Sequence, residues 1–218
     1  MGSQAEVTTM IESLSLDGRT IHQVDADTVP DRPDGAMIAG VAGVDLMTDR
    51  LAILDTGCAT VALLPEETSP DRVAGVHATL INAGGIRDGK QLTVPVWING
   101  MKGVTTLDTG ARTTMISRKF ARAARLDPAS TAFKDGPVVR GATTQTVPSR
   151  IGPIGTVQFA GLTRDKPVAR VVDLPFFADP GFAGGMAANI GLDLLHNTRL
   201  TIDYRHRKFW VAVSLCKR

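Results

Sequence analysis

The sequence predicts a mainly β fold, and three observations carry that prediction. Gly and Pro are abundant (22 and 12 of 218 residues) among many Val, Ile and Thr, a mixture that suits short strands and frequent turns. Apolar, β-branched runs are bounded by strong hairpin dipeptides, Asp17-Gly18 and Asn99-Gly100. The clearest helical stretch, residues 118–125, is short, rich in Ala and Arg, and stopped before Pro128. Hydrophobic residues make up 43%, enough for a substantial core, and aromatics only 5%, so that core is mostly aliphatic.

Taken in order, residues 6–24 alternate around Asp17-Gly18 as a hairpin, and Pro30-Asp31-Arg32-Pro33-Asp34-Gly35 is a loop. Residues 36–64 read as an apolar Gly-containing segment, a short helical turn, a buried strand ending at Asp55 and a second strand from Thr60. Residues 65–90, with Pro65, Pro70, Gly84-Gly85 and Asp88-Gly89, are expected to be a linker. Residues 92–98 and 104–107 form a hairpin across Asn99-Gly100, and 138–147 form another with a small-residue tip. Strands follow at 151–159, 168–172, 199–204 and 208–213. The expected organisation is therefore 1–64, a linker at 65–90, and a complete lobe at 91–218.

Charge and cysteine content exclude several functions. Lys plus Arg is 24 against 22 Asp plus Glu, too balanced for a nucleic-acid surface, and the basic residues are not interleaved with aromatics. The basic run at 205–208 reads as a solvated face. His22, His77, His196 and His206 show no ligand spacing, so no metal and no other cofactor is expected. Cys58 and Cys216 match no metal motif and are compatible with a disulfide or with two separate thiols. A Cys58 nucleophile is a third and poorly supported reading, since the sequence suggests no partner for it. No apolar run approaches membrane-spanning length and no signal peptide is present, and Met1-Gly2-Ser3 reads as an expression remnant.

Chemistry concentrates in Val104-Thr105-Thr106-Leu107-Asp108-Thr109-Gly110-Ala111-Arg112-Thr113-Thr114-Met115-Ile116-Ser117, where a β-branched run delivers a carboxylate into a tight turn. This stretch resembles the active-site signature of the retropepsin-like aspartic proteases, and Gly191-Leu192-Asp193-Leu194-Leu195 follows in the order that family requires. The resemblance spans about residues 90–213. It implies a closed, barrel-like β lobe with one or two short helices, and a catalytic Asp108 on a loop supported by Thr109, Gly110 and Ala111. It also implies a substrate-covering flap at Gly141, Ala142, Thr143 and Thr144, and a segment behind the loop at Ile190 and Gly191, where Asn189 is more polar than usual. The flap tip lacks the aromatic of pepsin-type flaps.

A second Asp-Thr-Gly, at Asp55-Thr56-Gly57, competes with the first. An internal repeat decides between them. Gly191-Leu192-Asp193-Leu194-Leu195 superposes on Gly43-Val44-Asp45-Leu46-Met47 at an offset of 148, which lays Asp203 on Asp55; residues 161–175 also resemble 18–30 after a small gap. Asp55 thereby reads as a strand end at a hairpin turn, where Asp-Thr-Gly is chemically ordinary. The two triplets lie 53 residues apart (108 − 55), too close for two complete lobes of roughly a hundred residues each.

Residues 1–64 then read as the C-terminal half of a preceding lobe, or as an accessory segment. An aspartic protease needs two carboxylates sharing a proton around a water, and one lobe brings only Asp108. The expectation is a polypeptide-cleaving enzyme that obtains its second aspartate from a homodimer mate or a second lobe. A catalytically inactive peptide-binding or dimerisation module is the alternative. Relatives of this type suggest a periplasmic or membrane-tethered address.

Overall fold

The computed structural model describes residues 8–16, 19–28, 41, 43–86, 91–140 and 146–216. The turn at Asp17-Gly18, the loop at 30–35 and the flap tip Gly141, Ala142, Thr143 and Thr144 lie outside the described residues. The chain divides into two compact units, Met1–Val41 and Ala42–Arg218.

The first unit holds one antiparallel hairpin, β1 (Thr8–Leu16) with β2 (Arg19–Asp27). Leu16 faces Arg19, the register of a two-residue connection. Met10 stays 61% exposed in this two-stranded ribbon, which by itself has no layer to cover an apolar side chain.

The second unit opens with a 3-10 turn at Val44–Leu46, then β3 (Arg50–Asp55), β4 (Thr60–Pro65) and α1 (Pro70–Val73). β5 (Thr79–Asn82), β6 (Gly84–Ile86), β7 (Gln91–Ile98), β8 (Met101–Leu107) and β9 (Met115–Ile116) lead to α2 (Arg118–Ala123). Next come β10 (Lys134–Arg140), β11 (Thr146–Pro153), β12 (Val157–Phe159), β13 (Leu162–Arg164) and β14 (Val168–Val171). After 3-10 turns at Pro175–Ala178 and Pro180–Gly185 the chain closes with β15 (Ala187–Ile190), α3 (Leu192–Leu195), β16 (Thr198–Asp203) and β17 (Lys208–Val213). The mainly β expectation is borne out.

Two sheets make up this unit. The larger runs β10-β11-β14-β9-β15-β8-β7-β12-β13, with β6 on β7; the smaller runs β4-β3-β16-β17-β5. The expected barrel closure is corrected: among the described residues β10 and β13 are the two ends of the large sheet, which does not close. The three-residue β13 uses its last side chain elsewhere, Arg164 donating to the carbonyls of Leu194 and His196 at 3.0 and 3.2 Å. Residues 65–90, expected as a linker, hold α1, β5 and β6, and tertiary pairing makes strands of them: β5 on β17 and β6 on β7.

The main core gathers Phe120, Phe159, Ile116, Ile190, Val94 and Val96 with Leu194, Leu195 and Leu200. A second cluster joins Ile86, Val172, Leu174, Phe177 and Phe182, and β10 and β11 contribute Val139 and Val147 to it. The ring centroids of Phe176, Phe177 and Phe182 lie 4.7–5.8 Å apart in tilted and edge-on contacts, a geometry that suits the aromatic quadrupole.

The repeat is visible in the backbone. β3 and β4 begin and end 148 residues before β16 and β17 (198 − 50, 213 − 65). The Gly43 and Gly191 caps share one conformation, φ −93° ψ −174° and φ −95° ψ −175°. The hairpin turns match too: Asp55 Oδ1 accepts from Cys58 N and Asp203 Oδ1 from His206 N, with left-handed Ala59 (φ 53°) and Arg207 (φ 52°) closing each. β3 pairs antiparallel with β16, and the central partners Ile53 and Thr201 are themselves 148 apart. A pseudo-twofold axis therefore passes between those two residues.

Candidate active site

Asp108 is delivered by a rigid hairpin. Asn99 (φ 50°) and Gly100 (φ 79°) both take left-handed conformations, as the tight turn between right-twisted strands requires. β8 then runs parallel to β15, with Leu107 opposite Ile190, and Asp108 N donates to Ile190 O at 2.8 Å. The carboxylate ends up half-buried at the strand's end, with both oxygens engaged. Its Oδ1 accepts from Gly110 N at 2.9 Å and Ala111 N at 3.1 Å, and its Oδ2 from Asn189 Nδ2 at 2.8 Å.

Gly110 owes its place to space rather than to backbone conformation: its φ is not left-handed, and an added Cβ would sit 3.2 Å from Asp108 Oδ1. Gly191 is the tighter requirement. A Cβ there would come within 2.7 Å of Ala111 O and 2.9 Å of the Thr113 carbonyl carbon, breaking the approach of the two segments. That approach is fastened by Leu192 N donating to Ala111 O at 2.8 Å. Thr109, between Asp108 and Gly110, is half-buried.

Three residues that the motif did not single out complete the support. Asn189, buried in β15, donates to Asp108 while its Oδ1 accepts from the Thr106 hydroxyl. Asp193 accepts from Thr114 N at 2.8 and 2.9 Å and from Thr114 Oγ1 at 2.7 Å, and Gly191 N donates back to Thr114 Oγ1 at 3.1 Å. The sequence signal for these was present but indirect: polar side chains inside otherwise apolar runs must find partners when buried.

Strands β10 and β11, which flank the expected flap, are tied to the same loop through Arg170 on β14. Its guanidinium donates to Thr113 Oγ1 (3.2 Å), Pro137 O (2.9 Å) and Ser149 Oγ (3.4 Å), joining β10 and β11 to the segment after Asp108. Ile190 and Gly191 stand directly behind the loop, whereas the expected flap-tip residues 141–144 are not described. A hollow of about 800 Å³ by Arg118, Arg122, Arg125 and Arg150 does not include Asp108.

Asp55 has a different occupation. It is 3% exposed and accepts from Ser214 Oγ (2.6 Å), Cys58 N (3.0 Å) and the Arg199 guanidinium (3.2 Å). Burial pushes its carboxyl up, but the hydrogen bonds from Ser214, Cys58 and Arg199 together with the Arg199 charge outweigh that and hold it below the usual carboxylate range. Thr56 Oγ1 accepts from Thr198 N at 2.9 Å and contacts the carbonyl oxygens of Leu195 and Thr198, and a Cys58–Cys216 disulfide closes the cluster. The second Asp-Thr-Gly thus fastens the chain's C-terminal end to the β3–β4 turn.

Among the described residues no group of three His, Cys, Asp or Glu side chains is disposed to hold a metal ion. No described helix is long and apolar enough to cross a membrane.

Residues 94–194 match the aspartyl protease family model. That segment includes the Asp108 loop, β10 and β11 and Ile190-Gly191, so the resemblance carried by the motif is borne out there. No curated protein sequence matches the chain. Among solved structures, the chain is similar to a retropepsin-like aspartic protease from Rickettsia conorii (17% identity, 63% of this chain, 94% of that one, TM-score 0.45). It is also similar to the EIAV protease complexed with the inhibitor HBY-793 (24% identity, 49% and 86% covered, TM-score 0.36).

Proposed function

We propose that the aspartyl protease segment is one lobe of an aspartic endopeptidase. In this reading Asp108 and a second aspartate share a proton around a water. The ionised carboxyl takes a proton from that water as it attacks the peptide carbonyl, and the protonated one stabilises the developing oxyanion. The observation that carries the reading is the fixed, half-buried carboxylate of Asp108 at a strand end, held on both oxygens by Gly110, Ala111 and Asn189. An extended polypeptide is the substrate form that suits such a loop lying beneath a β-hairpin flap, since it pairs its backbone with strands.

The second aspartate comes from a dimer mate or from another lobe. Asp55 is unsuited to the part, because Ser214, Cys58 and Arg199 already use its oxygens. That same fact favours a second reading for the chain acting alone, a peptide-binding or dimerisation module without activity. The Cys58–Cys216 disulfide supports an oxidising, extracytoplasmic address such as the periplasm.

Peptide-library cleavage between pH 4 and 7 tests the proposal. Asp108→Asn abolishes cleavage with an unchanged circular dichroism spectrum; full activity in that variant overturns it. A strictly monomeric chain that cuts nothing is the outcome expected of the module.

A further inference from the structure

The hollow beside α2 holds more positive charge than its surroundings neutralise. About 800 Å³ in volume, it is lined by Arg118, Arg122, Arg125 and Arg150 against two carboxylates, Asp127 and Asp135. Arg150 is already engaged, donating to Asp135 Oδ1 at 2.7 Å and to the carbonyls of Pro128 and Phe133 at 3.0 and 2.7 Å. Arg118 lies 3.5 Å from Asp173. Asp127 turns its Oδ1 to Ala129 N at 2.9 Å. Arg122 and Arg125 are both exposed, and among the described residues neither guanidinium has a hydrogen bond or an ion pair.

The way α2 ends brings these two cations to one place. Arg125 N donates to Arg122 O and Leu126 N to Ala121 O, at 3.0 and 2.9 Å, the pair of bonds that closes a helix on a left-handed residue. That residue is Arg125, with φ 59°, where glycine is the usual occupant because it has no Cβ to crowd the backbone. Backbone donors already answer the carbonyls of Ala121 and Arg122, so neither guanidinium is needed to cap the helix. An arginine kept at a glycine position, in a hollow with a second unanswered arginine, is explained by a ligand and not by the helix.

We propose that this hollow is a second binding site, separate from Asp108, for an acidic stretch of the polypeptide substrate. Its assignment to the substrate rests on the protease reading; the binding of an acidic stretch does not. Guanidinium forks match carboxylates two oxygens at a time. No aromatic side chain lines the hollow, so it offers no stacking platform for a nucleic acid. Asp127 and Asp135 interrupt the positive charge, which suits carboxylates spaced along a chain better than one compact polyanion. β10, which carries Asp135, ends the large sheet among the described residues, so an extended chain finds backbone groups to pair beside the hollow. The site also adjoins the Asp108 framework, since Ser149 in its lining accepts from Arg170, which donates to Thr113 as well.

Fluorescence anisotropy on the 218-residue chain tests this with a labelled peptide of alternating Glu and Ser beside its Gln-and-Ser counterpart. The Glu peptide is expected to bind and to weaken as salt rises, and the Gln peptide not to bind. Arg122→Glu combined with Arg125→Glu weakens binding at least about tenfold with an unchanged circular dichroism spectrum. Arg72→Glu combined with Arg207→Glu makes the same change in net charge elsewhere and alters binding less than about twofold. Arg122→Gln, a neutral change at an exposed position, gives a smaller loss in the same direction. Equal binding of the Gln peptide, equal losses in the two double variants, or an affinity for inorganic phosphate or a single-stranded oligonucleotide that matches the Glu peptide each overturns the proposal. Joined to a cleavable sequence, the Glu stretch is expected to lower KM at least about threefold in the parent and not in the Arg122→Glu, Arg125→Glu variant, with kcat unchanged. Binding without cleavage leaves the acidic site standing and sinks the protease reading; cleavage whose KM ignores the Glu stretch overturns the site and leaves that reading intact.

Discussion

Asn189 Nδ2 donates to Asp108 Oδ2 at 2.8 Å while Asn189 Oδ1 accepts from Thr106 Oγ1, so a buried amide on β15 sets the direction of the candidate catalytic carboxylate. Replacing it with Leu removes both bonds and leaves the buried Thr106 hydroxyl without this acceptor, costing about 1–3 kcal/mol of stability. The carboxylate is then free to turn, and misplacement on the order of 1 Å costs about 100-fold in rate. Asn189→Leu is expected to lower kcat by about 10- to 100-fold with KM changed less than about twofold. Steady-state kinetics on a cleavable peptide checks this, and an unchanged kcat removes Asn189 from the positioning role.

Acid titration of stability reports on Asp55. Its folded carboxyl lies below its ordinary value of 3.8, so its stabilising contribution is complete above that value and is lost as pH falls through the lowered one. Asp55→Asn is expected to destabilise the protein by about 3 kcal/mol near neutrality, because charged hydrogen bonds and a largely buried ion pair are lost. The gap in Tm between the two proteins stays constant above pH about 4 and narrows below it. A gap independent of pH down to 2 contradicts the assignment.

Reduction of Cys58–Cys216 releases a loop of 158 residues. Loop entropy alone assigns such a link about 5 kcal/mol. Denaturant unfolding with and without a reductant, and in a Cys58→Ser variant, is expected to show that loss in the first and the last. Equal midpoints under oxidising and reducing conditions exclude the pairing.

Ser117 caps α2: its Oγ accepts from Phe120 N at 3.1 Å and donates to Gly185 O at 2.6 Å. Ser117→Ala loses a cap worth about 1 kcal/mol and leaves the half-buried Gly185 carbonyl short of a donor, so a loss of about 2 kcal/mol is expected. Thermal unfolding measures it. Activity per folded molecule remains that of the parent, since Ser117 makes no hydrogen bond to the Asp108 loop.

What the sequence disclosed was local. Asn99-Gly100 dictated the β7–β8 turn by backbone sterics, and the run ending in Asp108-Thr109-Gly110 identified the candidate site. The 148-residue repeat exposed Asp55 as a turn residue before any coordinate was needed. Pairings between distant segments stayed hidden. Residues 79–82 are unremarkable until β17 lies beside them, and the partner of Cys58 is set by a fold that brings position 216 to the β3–β4 turn. Asn189 looked like a departure from an apolar pattern; its reason is the Asp108 oxygen it reaches, which sequence spacing does not encode.

The pairing of β3 with β16 also orders events in time. During synthesis the β3–β4 hairpin emerges well before its partner, since Asp55 precedes Asp203 by 148 residues. At about 5–20 residues per second that is a wait of about 7–30 s. Throughout it Leu51, Ala52 and Ile53, later buried, have no β16 to cover them. The nascent chain thus carries a sticky strand until β16 (Thr198–Asp203) arrives, and factors that shield unpaired strands on the ribosome are expected to raise its yield.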